Sequence, residues 1–175
     1  MYLEAIGESL PMAVGAALSP IPVAAAVSIL LSARPANAPA FLLGWAAGIC
    51  SVALIVFVLP GFETERGGPT ILVGWLRIVL GGSLLVLATR KWQARPAEGT
   101  EIKPPKVLAG LDAYGLGKSV LLGIAMSALN PKNLALTVAA ATAIDTSGLG
   151  AAGQGIALAI YTSVASLSIV APIVA

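Results

Sequence analysis

Five long apolar stretches, separated by polar or proline- and glycine-rich connections, dominate the pattern of the chain. An α-helix rises about 1.5 Å per residue, so about 20 apolar residues cross the roughly 30 Å hydrocarbon core of a bilayer. Each stretch is long enough for this, and we predict five transmembrane helices. Their predicted bounds are Ser9 to Ala33, Ala40 to Leu59, Thr70 to Thr89, Ser119 to Ile144 and Ala151 to Val174.

The composition favours the same class of protein. The 175 residues are 58% hydrophobic and only 10% charged, whereas the surface of a soluble domain carries far more charge. We therefore predict an all-α integral membrane protein, a polytopic helical bundle. The net charge of +2 does not indicate nucleic-acid binding, because the basic residues cluster in one connection and form no stripe on a fold.

The fourth stretch is interrupted near its centre by the sequence Leu-Asn-Pro-Lys-Asn-Leu at residues 129–134. Pro131 removes a helix hydrogen bond and collides with the preceding turn, and a lysine at the bilayer centre costs at least about 2.5 kcal/mol. Because ionisable residues at this depth are commonly functional, Lys132 is the leading candidate for a substrate contact. The alternative is a lysine that is neutralised by burial or that extends its side chain to the interface.

Asn130 and Asn133 flank this lysine. Their amides can satisfy the backbone groups that Pro131 frees, and they can also bind a polar group of a substrate. The sequence does not separate the two roles, so both residues stand as candidate substrate-binding residues.

A similar interruption occurs near the centre of the first stretch, at Pro20 and Pro22. A constant offset of 111 residues aligns Leu18 to Val27 with Leu129 to Val138, and it aligns Ser19 with Asn130. Paired interruptions in corresponding positions of two halves indicate a transporter binding site. Non-helical backbone at this depth must be buried in protein or face water, so we expect the two breaks to face each other, with Ser19 as the polar group of the first half.

If the aligned segments begin equivalent units, each unit contains three helices, and the odd number turns the second unit upside down. We predict a first three-helix repeat in residues 1–90, a basic loop in residues 91–118 and a second repeat in residues 119–175. By this logic a sixth helix should follow, and we expect the chain to be a fragment that lacks it.

The basic loop determines the predicted orientation. From Arg90 to Lys118 the chain carries six positive and three negative charges, and the positive-inside rule puts such a loop in the cytoplasm. The N-terminus is then outside, and we expect a multi-pass protein of the inner (plasma) membrane. Contact with anionic lipid headgroups is a second interpretation of the loop.

Two further features lie within the predicted helices. Arg77 lies about a third of the way into the third stretch, where it extends to the outer interface, pairs with Glu63 or Glu65, or belongs to the substrate path. Gly44 and Gly48 form a G-x-x-x-G pattern. Small residues allow close helix contact, so we expect this pattern to serve packing, within the chain or between copies.

The residue inventory is poor in enzyme chemistry. The chain has one cysteine and no histidine, which excludes histidine-based metal sites and a dithiol relay. There is no Ser/His/Asp set, and every acid is terminal or in a predicted connection. We expect no enzymatic activity, no cofactor, no metal and no nucleic-acid partner.

Three segments resemble the GAP family, the glycolipid- or sulfolipid-addressing membrane proteins of actinobacteria, which is grouped with the lysine exporter superfamily. These segments are Ser-Pro-Ile-Pro at 19–22, Phe-Leu-Leu-Gly-Trp-Ala-Ala-Gly at 41–48 and the sequence at 129–134. The similarity extends over essentially the whole chain. It implies six helices in two three-helix repeats and a role in moving envelope glycolipids to the cell surface.

Three functions remain open. The first is export of an envelope glycolipid or a related anionic amphiphile by alternating access, with the substrate between the two breaks. The second is export of an amino acid or another small solute, since a cationic site suits either acid group. The third is a non-transporting scaffold for lipid export machinery, which needs the packing surfaces and the basic loop but not Lys132. A second copy of the chain or envelope export machinery are the expected partners.

Overall fold

The computed structural model describes residues 2–58 and 114–174, together with nine helical positions between Trp75 and Gln93. The predicted third helix and the predicted basic loop up to residue 113 lie outside the described residues except at these nine positions. Arg77 also lies outside them, so its proposed place in the substrate path stays a prediction.

Over the described ranges the fold is all-helical, with six helices and no strand. Two of these helices are long and apolar enough to cross a membrane, and a third span results if the first two helices form one bent span. The chain is therefore a membrane protein. The helices are α1 (Tyr2–Ala17), α2 (Pro20–Leu30), α3 (Asn37–Val58), α4 (Leu116–Ala128), α5 (Pro131–Thr146) and α6 (Ala151–Val174).

The first predicted stretch is a broken helix. α1 ends at Ala17 and α2 begins at Pro20, with a bend of 55° between them. Pro20 is suited to the first turn of α2, because the N–H that it lacks would have no partner within the helix. α1 begins earlier than the predicted Ser9, since a helix can extend beyond the hydrocarbon and Glu4 is favourable near the partial positive charge of its N-terminus.

The fourth predicted stretch is broken in the same way. α4 ends at Ala128 and α5 begins at Pro131. Both bounds lie 111 residues after the corresponding bounds of α1 and α2, which is the offset seen in the sequence. The single span predicted from Ser119 to Ile144 is therefore two helices.

α3 and α4 make the most extensive helix contact among the described helices. A Cβ atom added to Gly44 would overlap the backbone of Val120, and one added to Gly48 would meet Ser127 and Ile124. The two helices can approach this closely only because both positions are glycine. The predicted packing role of the G-x-x-x-G pattern is confirmed within the chain. These contacts also show that α3 and α4 run in the same direction.

α1 and α6 form a second parallel pair. Near the start of both helices, the Tyr2 hydroxyl lies 3.1 Å from where a Cβ atom of Gly153 would be. Near their later parts, the Ser168 hydroxyl donates to the carbonyl of Ala17 at 2.7 Å. α1 also packs against α5, so α5 lies close to both members of this pair.

The helix ends fall into two groups. At the end of the bundle that we call the Asn37 end, α3 and α4 begin together, and Asn37 Nδ2 donates to the carbonyl of Tyr114 at 2.7 Å. The opposite end, the Tyr2 end, contains the start of α1, the end of α5 and the start of α6. Small and aliphatic side chains pack together there: Ala5, Ile144, Leu149 and Ala157, with Phe57 of α3 against them.

A tight turn joins α5 to α6. Gly148 has a φ of 72°, in the left-handed region that glycine adopts without a steric penalty. It follows the C-cap residue Ser147, where such a glycine commonly ends a helix. The turn lets α6 begin at Ala151 and return through the bundle beside α1.

Candidate functional site

The two helix breaks lie against each other inside the bundle. The Lys132 ammonium at the start of α5 donates to the carbonyl of Leu18 at 2.9 Å and to the hydroxyl of Ser19 at 3.1 Å. The Ser19 hydroxyl in turn donates to Asn133 Oδ1 at 3.0 Å. As expected from the sequence, the breaks face each other. The role of these residues in substrate binding stays a prediction.

Asn130 caps α5. Its backbone is extended, and its Oδ1 accepts a hydrogen bond from the backbone N–H of Lys132 at 3.1 Å. This is the usual N-cap arrangement, in which a side-chain oxygen satisfies a donor that has no partner within the helix. The capping role that the sequence left open for this amide is therefore present in the structure.

Asn133 forms hydrogen bonds across the second break from inside the bundle. It is only 1% exposed, and its Nδ2 donates to the carbonyl of Met126 near the end of α4 at 3.0 Å. Its Oδ1 accepts from Ser19, which is 4% exposed. The amide thus connects α4, α5 and the start of α2 through neutral hydrogen bonds.

The first break has a different capping arrangement. Ser19 precedes α2 in an extended conformation, but its side chain makes no capping bond to α2. Pro22, the third residue of α2, has no N–H, so one of the two donors that a serine cap can satisfy is absent from the first turn. The hydroxyl of Ser19 is consequently available for Lys132 and Asn133 across the interface.

Side chains of two different helices donate to the carbonyl groups at the first break, and the carbonyl of Ala17 also accepts the backbone N–H of Ser19 at 2.8 Å. Ala17 accepts from the Ser168 hydroxyl of α6, and Leu18 accepts from Lys132 of α5. Sequence reasoning missed Ser168. A serine inside an apolar stretch was the only signal, and nothing in the sequence indicates its partner, which lies 151 positions earlier in the chain.

A second polar contact lies close to the breaks. Thr137 is one helical turn after Asn133, on the same face of α5, and its hydroxyl lies 3.2 Å from the Tyr161 hydroxyl of α6. Both side chains are buried. Sequence reasoning also missed this pair, because threonine and tyrosine are common in apolar helices and their contact depends on how α5 and α6 pack.

Two helix N-termini and two exposed leucines lie close to Lys132. The N-termini of α2 and α5 both lie here, and helix N-termini carry partial positive charge. Leu18 and Leu129, which precede the two caps at equivalent positions, are 71% and 75% exposed. Such an arrangement can hold an acid group at the ammonium with apolar surface beside it. The described residues contain no cluster of three or more His, Cys, Asp or Glu side chains for a metal ion.

Comparison with known proteins gives one positive result. No curated protein and no solved structure gives a significant match to the chain. A family model described as "Sap, sulfolipid-1-addressing protein" matches residues 10–175, a region that includes both helix breaks and α2 to α6 in full. The chain therefore belongs to the sulfolipid-1-addressing protein family.

Proposed function

We propose that this protein carries an anionic amphiphile, in the first place an envelope glycolipid, across the plasma membrane by alternating access. The observation that carries the proposal is the position of the Lys132 ammonium between two helix breaks that meet inside a membrane bundle. Broken helices at membrane depth commonly form the substrate sites of transporters. Membership of a family linked to sulfolipid addressing supports a lipid as the substrate.

The proposed architecture is an inverted repeat with five transmembrane helices. Its support is the constant offset between the two helix breaks and the direction of the helices. α1 starts at the Tyr2 end, whereas its equivalent α4 starts at the Asn37 end, beside α3. Two units that enter from opposite ends are what an odd number of helices per unit predicts.

The proposed orientation puts the Asn37 end in the cytoplasm. Arg34 precedes α3 at this end, and Lys118 lies in the first turn of α4, where its ammonium is 5.8 Å from the centre of the Tyr114 ring. Glu4 and Asp145 lie at the Tyr2 end, which we propose to be outside. This distribution follows the positive-inside rule.

In this mechanism Lys132 contacts the acid group of the substrate. A hydrogen bond to a charged group contributes about 1.5–3 kcal/mol, so one ammonium can distinguish an acidic lipid from a neutral one. Ser19, Asn130 and Asn133 hold the backbone and the lysine in place. Opening at the breaks, first towards one end of the bundle and then towards the other, would expose the site alternately.

Two other functions differ from this proposal in what they need. A small-solute exporter, such as the relation to the lysine exporter superfamily suggests, would need Lys132 but would not move lipid. A scaffold for envelope export machinery would move lipid only through a partner and would not need Lys132. The proposal makes the protein a transporter and not an enzyme, with no cofactor.

The test uses a host strain that lacks the protein, restored with wild type or with Lys132→Ala. Lys118→Ala is the matched control, because it removes an equal charge from an exposed position at the Asn37 end. The readout is surface-exposed against total envelope glycolipid, with the amount of each variant in the membrane measured in parallel. We expect wild type and Lys118→Ala to restore surface glycolipid, and Lys132→Ala to leave it inside.

Two outcomes would contradict the proposal. If the surface fraction does not change when the protein is absent, lipid is not the substrate. If Lys132→Ala restores the surface fraction at normal membrane levels, the lysine is not the substrate contact, and the scaffold function is favoured.

A further inference from the structure

We infer that the backbone carbonyl groups of Ala128 and Leu129, at the second helix break, bind hydroxyl groups of the substrate's head group. The inference rests on the proposed function for the identity of the ligand. Its basis is that no donor in the described part of the chain forms a hydrogen bond with either carbonyl. The site consists of neutral backbone acceptors and is separate from the ammonium of Lys132.

The local sequence explains why these carbonyls lack donors. In a continuous helix, the backbone N–H of Lys132 would donate to the carbonyl of Ala128. Here that N–H donates to Asn130 Oδ1 at 3.1 Å, because Asn130 caps α5. Pro131, which begins α5, has no N–H to offer in its place. The cap that starts α5 thus removes the donor that α4 would need to continue.

The first break shows how the equivalent carbonyls are bonded. Ala17 and Leu18 lie 111 residues before Ala128 and Leu129. The carbonyl of Ala17 accepts from a side-chain hydroxyl at 2.7 Å, and that of Leu18 accepts from a side-chain ammonium at 2.9 Å. A carbonyl at this place in a unit therefore has room for a donor that comes from outside its own helix.

The two side chains that donate at the first break have no polar counterpart in the other unit. They belong to Ser168 and Lys132, and the same 111-residue offset relates these positions to Phe57 and Ile21. Neither phenylalanine nor isoleucine carries a side-chain donor. The second break is thus the half of the repeat in which the protein does not supply the donors.

The exposure of this segment indicates what supplies them. Backbone that is not helical is tolerated at membrane depth only where it is buried in protein or lines a cavity that holds water. Leu129 is 75% exposed and Ala128 is partly exposed, so protein does not cover this part of the break. Its carbonyls therefore face a space in which water or a ligand donates to them.

A hydroxyl-bearing ligand fits these carbonyls better than a metal cation does. A hard cation takes about six or more oxygen ligands, whereas the side-chain oxygens of Asn130 and Asn133 already accept hydrogen bonds. The hydroxyl of Ser127 is directed to carbonyls of its own helix. Two carbonyls on consecutive residues instead suit two neighbouring hydroxyl groups, the arrangement on a sugar ring. We therefore assign the site to a polyhydroxyl head group.

The experiment compares two probes that differ only in their hydrogen-bond donors, octyl glucoside and its tetra-O-methyl derivative. Both carry the same chain and ring oxygens, but the methylated probe has no hydroxyl group. The full chain is held in nanodiscs of neutral lipid, and affinities are measured by calorimetry below the micelle concentrations of the probes. Nanodiscs without protein correct for the partition of each probe into the lipid.

The variant changes one backbone carbonyl and keeps every side chain. Replacement of Leu129 by its α-hydroxy acid, introduced by nonsense suppression, converts the peptide bond after Ala128 into an ester. An ester carbonyl is the weaker acceptor, because the ester oxygen donates less electron density than an amide nitrogen. The replacement also removes the N–H that donates to the carbonyl of Ala125 at 3.0 Å.

The same replacement at Leu18 is the matched control. It converts the carbonyl of Ala17 into an ester and removes the N–H that donates to Val14, also at 3.0 Å. Both variants therefore lose an equivalent helix bond and weaken an equivalent carbonyl. They differ in that only the carbonyl of Ala17 has donors within the described chain.

We expect wild type to bind octyl glucoside about 10-fold or more tightly than the methylated probe, from two hydrogen bonds of the usual net energy. The ester at Leu129 should lower this ratio about 3-fold to 10-fold, as expected for one weakened bond. The ester at Leu18 should leave the ratio at the wild-type value. A merely structural role for the carbonyl of Ala128 would lower both affinities equally and leave the ratio unchanged.

A measurement on wild type decides the inference if the ester variant does not fold. Leu129 and Asn130 form the single Leu-Asn pair in the sequence, so labelling leucine carbonyls with ¹³C and asparagine nitrogens with ¹⁵N selects one NMR signal. The carbonyl signal of Leu129 should shift with octyl glucoside and not with the methylated probe.

The failures of the two claims are distinguishable. If wild type binds both probes equally, or if the carbonyl signal of Leu129 is the same with both, water alone donates to these carbonyls and the inference is wrong. It is also wrong if the esters at Leu18 and Leu129 lower the ratio equally. If the probe results are as expected but surface glycolipid does not depend on the protein, the proposed function fails and the hydroxyl site stands.

Discussion

The hydroxyl oxygen of Ser168 in α6 lies 2.7 Å from the carbonyl oxygen of Ala17, the last residue of α1. A carbonyl at the end of a broken helix has no partner within its own helix. The backbone N–H of Ser19 donates to this carbonyl at 2.8 Å, and in a membrane, where bulk water is absent, the Ser168 hydroxyl supplies a second donor. Ser168 thus connects the first break to the last described helix.

Replacement of Ser168 by alanine should destabilise the protein by about 0.5–1.5 kcal/mol, because the carbonyl of Ala17 loses this donor. Ser163→Ala is the matched control, since Ser163 is exposed on the same helix and its hydroxyl donates only to the carbonyl of Ala159 within α6. The free energy of unfolding in mixed micelles measures the difference. Equal stability of the two variants would show that the contact with Ala17 contributes nothing.

Replacement of Gly44 by alanine should destabilise the protein by about 1–3 kcal/mol, because the new methyl group would overlap the backbone of Val120 and force α3 and α4 apart. Gly155→Ala is the matched control. It lies 111 residues later, at the equivalent position of α6, and has open space around it. There we expect a gain of about 0.5–1 kcal/mol from the helix preference of alanine. The unfolding midpoint of each variant checks this, and a loss of similar size at both positions would contradict it.

The hydroxyl groups of Thr137 and Tyr161 should show a coupling energy of about 0.5–1.5 kcal/mol in a double-mutant cycle. The cycle uses Thr137→Val, Tyr161→Phe and the double variant, which keep the shapes of the buried side chains. Stability is compared for all four proteins. Strictly additive effects would mean that the two hydroxyl groups do not interact in the native state.

The two groups of helix ends can be tested by labelling in intact cells. Cys50→Ala removes the single native thiol, and a cysteine is then introduced at Ala36 or at Gly150, both of which are exposed. An impermeant maleimide should label Gly150→Cys directly and Ala36→Cys only after the cells are made permeable. Labelling from the same side would contradict the separation of the two ends. A reversed pattern would contradict the proposed orientation.

The parts of the site that contain residues with a high free-energy cost in a membrane helix were predictable from the sequence. Pro20, Pro131 and Lys132 are unfavourable in a regular membrane helix, so their positions marked both breaks, and the 111-residue offset related them. The helix bounds at Ala17 and Ala128 then agreed with that offset.

The remaining parts depend on tertiary contacts that no local pattern carries. Asn130 caps α5, whereas Asn133 links α5 to α4. Because both residues are asparagine, only their partners in the structure separate these two roles. Ser168 is inconspicuous among neighbouring serines until Ala17 is placed beside it. The early start of α1 was missed because apolar patterns locate the hydrocarbon core and not the ends of helices.

The close packing of α3 on α4 also bears on how the protein is made. The two helices are separated in sequence by residues 59–115, so Gly44 and Gly48 meet their native partner only after α4 has been synthesised. Membrane helices first insert as separate spans and then associate. For α3, more than 50 residues are synthesised between these two steps. A nascent chain that stops before Leu116 would therefore present Gly44 and Gly48 of α3 without α4 to pack against them.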